Sequence, residues 1–136
     1  MFVLDASVAL SWVFPDEHGD KVAALFQRLV QESALVPAIW PLETGNALQS
    51  ALRSGRITET QVWTLADDLL SLPVEIDQVS RENALTGPLK IALGSRLSIY
   101  DAAYLELAHR RQLPLATLDR RLRAACAELN IPTLPE

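Results

Sequence analysis

Short apolar runs alternate along the chain with longer stretches of helical periodicity. The apolar runs are Phe2–Leu4, Ala34–Val36, Val74–Ile76, 115–117 and Thr133–Leu134. Between them, apolar residues recur at intervals of three and four positions, the period of a helix with one buried face. This alternation is typical of an α/β fold in which helices flank a parallel sheet. We therefore predict a three-layer α/β domain with a central parallel sheet of four to five strands.

Turn and capping residues set the expected helix boundaries. Pro41 suits the first turn of a helix that ends near Gly55, and a second helix follows Thr58. These two helices are expected to form a hairpin. The pair at 87–88, Gly-Pro, interrupts the helical pattern of residues 79–93, so a kink or a break is expected there. Further helices are predicted from Ala6, through the apolar stripe 22–30, and over 98–111 and 120–129, with another beginning in solvent at 15–17.

Length and composition fit one domain. The chain has 136 residues, 49% of them hydrophobic and 21% charged, which is enough to bury a core. No linker, repeat or low-complexity tract marks a boundary, so we expect a single domain over 1–136. The N-terminal segment lacks the regions of a signal peptide, and no apolar run approaches the about 20 residues of a membrane span. We expect a cytoplasmic protein without a membrane partner.

Cysteine content and charge exclude some classes of site. Cys126 is the only cysteine, so an internal disulfide is excluded, and with His18 and His109 it does not match a zinc site of usual spacing. We expect it to be a small buried hydrophobe. The net charge of −5 argues against a broad basic surface for nucleic acid. It does not exclude a nucleic-acid enzyme, because carboxylates that hold cations contribute to that charge.

Four acidic residues fall where an α/β fold begins a helix, and they are Asp5, Glu43, Asp101 and Asp119. Helices that return from parallel strands begin at the carboxyl edge of the sheet, where such folds bind ligands. All four acids are therefore expected at that edge. Converging carboxylates repel one another, whereas bound Mg²⁺ removes that cost and leaves positions for phosphate oxygens. The pattern predicts a divalent metal site.

Each acid also has a purely structural interpretation. Asp5 and Asp119 could cap the helices that follow them. Asp101 could complete a capping box with Ser98, and Glu43 would favour the positive end of its helix dipole. Small neighbours beside Asp5 and Asp101 leave room for a ligand, which capping does not need. Both interpretations stay open at this point.

The motifs around the acids resemble those of PIN-domain ribonucleases. The segments VLDASVAL, PLETGNAL, SIYDAAYLELA and LATLDRRL have the order and spacing of that family, particularly of the small VapC-type toxins of bacterial toxin–antitoxin pairs. The likeness covers residues 2–134. It implies a PIN-like fold and a metal-dependent endoribonuclease. One or two Mg²⁺ or Mn²⁺ ions would lie among four acids, and these acids are Asp5, Glu43, Asp101 and Asp119.

The resemblance also implies supporting residues, product ends and partners. Hydroxyl residues near the first and last acids support the site in this family, and here they are Ser7 and Thr117, although either could equally cap a local element. Hydrolysis by a metal-activated water would leave a 5′ phosphate and a 3′ hydroxyl. A toxin-like identity implies an RNA substrate, an antitoxin protein that covers the active groove, and a homodimer built partly from the helical hairpin.

Basic and aromatic residues give weaker indications. Arg120 and Arg121 follow Asp119 against the helix-dipole preference, so they are candidates for contacting RNA phosphate or for pairing with the acids. Arg110 and Arg111 lie where positive charge offsets the dipole at a helix C-terminus. The tryptophans are expected to pack in the core or at a subunit interface rather than to stack on bases, and they are Trp12, Trp40 and Trp63.

Three other protein classes share part of the pattern. Haloacid-dehalogenase phosphatases also place an Asp after the first strand, but they need a second Asp where this chain has Ser7. Response-regulator receivers need an early acidic pair and a late lysine, and the last lysine here is Lys90. The main alternative is a non-catalytic PIN-like module that binds RNA or protein. The presence of all four acids argues against it.

Overall fold

A computed structural model describes residues 1–14 and 19–136, so the helix start predicted at 15–17 lies outside the described residues. Five parallel strands form one sheet, in the spatial order β3-β2-β1-β4-β5. In chain order they are β1 (Phe2–Leu4), β2 (Ala34–Val36), β3 (Val74–Ile76), β4 (Leu115–Ala116) and β5 (Thr133–Leu134). β1 is therefore the central strand.

Helices cover both faces of this sheet. The described part of the chain contains α1 (Ala6–Val13), α2 (Asp20–Glu32), α3 (Trp40–Arg53), α4 (Glu59–Leu70), α5 (Arg81–Leu93), α6 (Ile99–Arg111) and α7 (Arg120–Glu128). The chain moves outward from β1 to β3 and then returns to β4 on the other side of β1. Because parallel crossovers are right-handed, α1–α4 lie on one face and α5–α7 on the other.

Contacts between the helices agree with this division. Helix α1 packs against α2, α3 and α4, whereas α6 packs against α5 and α7. Helices α3 and α4 also pack together, as the predicted hairpin requires. The prediction of a three-layer α/β fold is confirmed, with five strands. Among residues 1–14 and 19–136, no helix has both the length and the apolar character of a membrane span.

The core explains why the strands appear as unbroken apolar runs. Every residue of β1 is fully buried, because helices cover both faces of the sheet. Leu29 of α2, Leu105 of α6 and Leu122 of α7 complete the packing around it. Cys126 of α7 is also buried, and desolvation raises the pKa of its thiol to about 11. The prediction that it is a small core residue is confirmed.

The tryptophans differ in their surroundings. Trp12 packs edge-on against Phe26 and donates from Nε1 to the carbonyl of Val22 at 2.8 Å. Trp40 is buried, with 7% of its surface exposed. Trp63 of α4 is 67% exposed, so core packing does not account for it.

Helix α5 differs from the expectation at Gly87 and Pro88. The helix does not break, and Pro88 lies buried in its interior. A Cβ atom at Gly87 would lie only 3.0 Å from Cγ of Glu106 on α6. The missing side chain at 87 therefore allows a close approach of the two helices. That packing keeps α5 continuous although Pro88 cannot donate a backbone hydrogen bond.

An ion-pair cluster that the sequence did not predict ties β3 to α6. Asp77 follows β3 and is 8% exposed. Its carboxylate pairs with Arg110 at 2.6 Å and with Arg111 at 3.2 Å, and Arg110 also pairs with Glu106 at 2.7 Å. The two arginines thus do more than offset the helix dipole. They hold the C-terminal end of α6 against the end of β3.

Replacement of Asp77 tests the importance of this cluster. We expect Asp77→Ala to lower the free energy of unfolding by about 1–3 kcal/mol, because it removes two charge-assisted hydrogen bonds to a buried carboxylate. Urea denaturation measures the change. Glu82→Ala is the control, since Glu82 pairs with Arg81 on the surface and should contribute less than about 0.5 kcal/mol. Equal losses in both variants would contradict a stabilising role for the cluster.

Candidate active site

The four predicted acids all lie at the N-terminal ends of helices. Asp5 and Asp119 are the N-cap residues of α1 and α7, and Glu43 and Asp101 lie in the first turns of α3 and α6. In the sheet, β2 lies on one side of β1 and β4 lies on the other, so the strand order reverses at β1. The carboxyl end of β1, where Asp5 lies, is therefore the switch point at which open α/β sheets bind ligands.

Two hydroxyl groups hold the Asp5 carboxylate. Asp5 is 7% exposed, and its side chain makes no capping hydrogen bond to α1. Instead, its Oδ2 accepts hydrogen bonds from Ser7 Oγ and Thr117 Oγ1, both at 2.7 Å. The hydroxyl oxygens in turn accept from the backbone N–H groups of Leu118 and Asp119, both at 3.1 Å. Each hydroxyl is therefore fixed by one bond as acceptor and one as donor.

Glu43 is held by a residue that the sequence analysis missed. Tyr104 is fully buried, and its hydroxyl donates to Glu43 Oε1 at 2.5 Å. Burial and the nearby carboxylates of Glu43 and Asp5 raise the pKa of Tyr104, so its hydroxyl keeps the proton it donates. The available signal was its position three residues after Asp101, which places both on one face of α6.

Asp101 and Asp119 use their carboxylates differently. Ser98 caps α6 by accepting from the backbone N–H of Asp101 at 3.1 Å. Within the described residues the Asp101 carboxylate does not return a bond to Ser98, so the capping box is only half formed. Asp119 Oδ1 caps α7 by accepting from the N–H groups of Arg121 at 2.8 Å and Leu122 at 3.4 Å. Capping thus accounts for one oxygen of Asp119 and for neither oxygen of Asp101.

Arg121 lies between the last two acids. Its Nη2 is 4.0 Å from Asp101 Oδ2, and its Nε is 4.0 Å from Asp119 Oδ1. The side chain is 73% exposed, so both pairs are weak. Arg120 is exposed, and among residues 1–14 and 19–136 no ion pair or hydrogen bond holds its side chain.

Burial and neighbouring negative charge both raise the pKa values of Asp5 and Glu43. Burial raises the pKa of Asp5 and the charge of Asp101 adds to this, although hydrogen bonds from Ser7 and Thr117 oppose both effects. Partial burial likewise raises the pKa of Glu43, and repulsion from Asp5 and Asp101 adds to it against the Tyr104 hydrogen bond. The negative charge of Asp101 therefore acts on both Asp5 and Glu43. A cation among them would relieve that repulsion.

The donor set fits a hard divalent cation in its chemistry. The acids offer only oxygen ligands, as Mg²⁺ and Mn²⁺ prefer. However, no three Asp, Glu, His or Cys side chains within 1–14 and 19–136 lie close enough together to hold one ion directly. Mg²⁺ usually takes one or two carboxylates and keeps several waters. The donor chemistry therefore fits an ion bound directly by one or two of the acids.

Comparisons with known proteins agree on a family. The family model described as PIN domain matches residues 2–128. Ribonuclease VapC12 of Mycobacterium tuberculosis is 31% identical over 128 residues, which are 90% of this chain and 89% of that protein. Ribonuclease VapC3 of Pyrobaculum aerophilum is 27% identical over 130 residues, which are 96% and 98% of the two chains.

A solved structure has a similar fold. The crystal structure of Mycobacterium tuberculosis VapC20, a toxin that cleaves the sarcin–ricin loop, superposes with a TM-score of 0.61. The match covers 92% of this chain and 95% of that chain at 17% identity. At this level of identity the likeness concerns the fold alone.

The raised pKa of Glu43 predicts a pH-dependent stability. A carboxyl group whose pKa is higher in the folded state than its ordinary 4.5 stabilises the protein below that pH and loses this contribution as pH rises through the folded value. In EDTA, Glu43→Gln should therefore melt at a higher temperature than the wild type at pH 7. The gain should shrink as pH falls through the folded-state pKa of Glu43, and it should vanish below about 4.5, where Glu43 is protonated in both states.

Thermal melts of metal-free protein across this pH range measure the effect. Glu128→Gln at the exposed end of α7 is the matched control and should show no such trend. A Glu43→Gln gain that stays constant with pH would mean that ionisation of Glu43 does not destabilise the fold.

Proposed function

Because the chain belongs to the PIN domain family, among the VapC ribonucleases, we propose that it is a metal-dependent endoribonuclease and the toxin of a toxin–antitoxin pair. The observation that carries this proposal is the placement of Asp5, Glu43 and Asp101 at the N-terminal ends of α1, α3 and α6, with Asp5 at the switch point of the sheet. The sequence motifs and the family match point to the same residues.

One or two Mg²⁺ or Mn²⁺ ions are proposed to be held by the four acids Asp5, Glu43, Asp101 and Asp119. A bound divalent cation lowers the pKa of a coordinated water and offsets the charge of the scissile phosphate. Ser7 and Thr117 support the site by fixing the orientation of the Asp5 carboxylate. The N-termini of the helices add positive potential at the edge of the sheet where the acids lie.

RNA is the proposed substrate. Arg120 and Arg121 begin α7 beside Asp119, and both are exposed. The long distances from Arg121 to the acids leave its guanidinium able to pair with a phosphate instead. Hydrolysis by water would leave a 5′ phosphate and a 3′ hydroxyl. A toxin that cleaves cellular RNA would act in the cytoplasm.

Substitution of Asp101 tests the activity at little structural cost, because the one ion pair of its carboxylate in the described structure, to Arg121 at 4.0 Å, is weak. We expect Asp101→Asn to reduce RNA cleavage at least about a hundredfold while the protein stays folded, because its carboxylate makes no capping bond in the described structure. The assay incubates labelled total RNA and transfer RNA with partner-free protein in Mg²⁺ or Mn²⁺, with EDTA controls. Asp67→Asn is the matched control, since Asp67 is exposed on α4.

The chemistry of the cut ends distinguishes mechanisms. Ends with 2′,3′-cyclic phosphate would contradict attack by water. Full activity of folded Asp101→Asn would refute the catalytic assignment. If no RNA is cleaved by folded wild-type protein free of partner, the alternative of a PIN-like RNA- or protein-binding module gains support.

An antitoxin protein and a second copy of the chain are the proposed protein partners. The family relation supports the antitoxin, which would cover the active groove. The hairpin of α3 and α4 exposes Leu42, Trp63 and Leu70 at 70%, 67% and 83%. These exposed apolar side chains are the candidates for burial against another subunit.

A charge placed on the hairpin should separate the subunits. We expect wild-type protein at micromolar concentration to show twice the 15.0 kDa chain mass by light scattering, and Leu70→Lys to shift the mass towards one chain. Leu93→Lys is the matched control, because Leu93 is 80% exposed at the end of α5. A monomeric wild type would contradict the dimer. Dissociation by Leu93→Lys alone would place the interface outside the hairpin.

A further inference from the structure

We propose that Tyr104 is a positioning residue that fixes the Glu43 carboxylate for the metal ion. The inference rests on the proposed function, because it assumes that Glu43 is a ligand of the ion, directly or through water. Tyr104 itself would touch neither the ion nor RNA. It would act through a single hydrogen bond.

The first argument is the rigidity of the donor. The Tyr104 side chain is fully buried in the core, and it is the largest of the fully buried side chains. A ring packed in this way has one position, so its hydroxyl is a fixed point at the edge of the sheet. Glu43 is only partly buried, and its carboxylate lies at the end of three rotatable bonds. The hydrogen bond to this fixed hydroxyl therefore restricts the orientation of the Glu43 carboxylate.

The second argument is the choice of oxygen. Tyr104 donates to Oε1 of Glu43 at 2.5 Å. In the part of the chain that the structure describes, no group donates a hydrogen bond to Oε2. One oxygen is thus held by the protein while the other is left for a cation or its water. The arrangement parallels Asp5, where both hydroxyl donors converge on Oδ2.

The third argument is that this bond joins two acid-bearing helices. Glu43 lies on α3 and Tyr104 on α6, and they are 61 positions apart in the chain. Asp101 lies one turn before Tyr104 on the same helix. The hydrogen bond therefore fixes Glu43 relative to the helix that carries Asp101. Hydrogen bonds of this kind to metal ligands typically change metal affinity 10- to 100-fold when they are removed.

A simpler role is also possible for a buried tyrosine, whose hydroxyl usually needs some partner in the core. Tyr104→Phe separates the two roles because it removes only the oxygen. We expect its Mn²⁺ affinity, measured by electron paramagnetic resonance of free Mn²⁺, to fall at least about tenfold. Excess Mn²⁺ should restore most of the cleavage rate. Tyr100→Phe is the matched control on the same helix, since Tyr100 is 55% exposed, and its Mn²⁺ affinity should not change.

A double-mutant cycle shows whether Tyr104 acts through Glu43. In a Glu43→Gln background, the additional Tyr104→Phe change should have little effect on Mn²⁺ affinity. An equal loss in both backgrounds would indicate a general structural defect and would overturn the inference. Wild-type affinity in the Tyr104→Phe single variant would overturn it as well.

The same measurements separate this inference from the proposed function. If wild-type protein binds Mn²⁺ and Tyr104→Phe weakens that binding through Glu43, the inference holds even when no RNA is cleaved. If wild-type protein binds no Mn²⁺, the metal site and the inference both fail.

Discussion

Asp5 lies at the carboxyl end of the central strand with 7% of its surface exposed, and the proposed metal site requires an ionised carboxylate there. Burial disfavours its charge, and Asp101 disfavours it further. Hydrogen bonds from Ser7 and Thr117 compensate for part of that cost. A divalent cation would supply the rest, because opposite charge stabilises the ionised form. The metal-free fold therefore holds a carboxyl group where burial disfavours its charge, and a bound ion would offset that cost.

The topology of the sheet determines which groups can meet Asp5. Thr117 follows the neighbouring strand β4, so its hydroxyl reaches across the sheet to a residue 112 positions away. Glu43 and Asp101 arrive from the opposite faces, on α3 and α6, because both helices begin at the same edge. Tyr104 then links those two faces. Side chains that are distant in sequence thus lie together at the carboxyl end of the central strand.

Local patterns predicted the fold and the position of the four acids at helix N-termini, but they did not predict contacts between distant elements. Strands β1, β2 and β4 could be recognised because both of their faces are buried, which leaves uninterrupted apolar runs. The acids could be recognised from short motifs at helix starts. No local pattern pairs Tyr104 with Glu43, or Asp77 with Arg110, since each contact joins elements far apart in the chain. The continuity of α5 through Pro88 likewise depends on its packing against α6.

The position of a bound ion can be measured by anomalous diffraction from crystals of the protein grown with Mn²⁺. If the acids at the end of β1 hold the metal, a manganese peak lies in contact with at least one of Asp5, Glu43 and Asp101, with the remaining acids reached through water. Manganese bound only elsewhere on the molecule, with these three carboxylates well ordered, would show that their convergence serves some purpose other than metal binding.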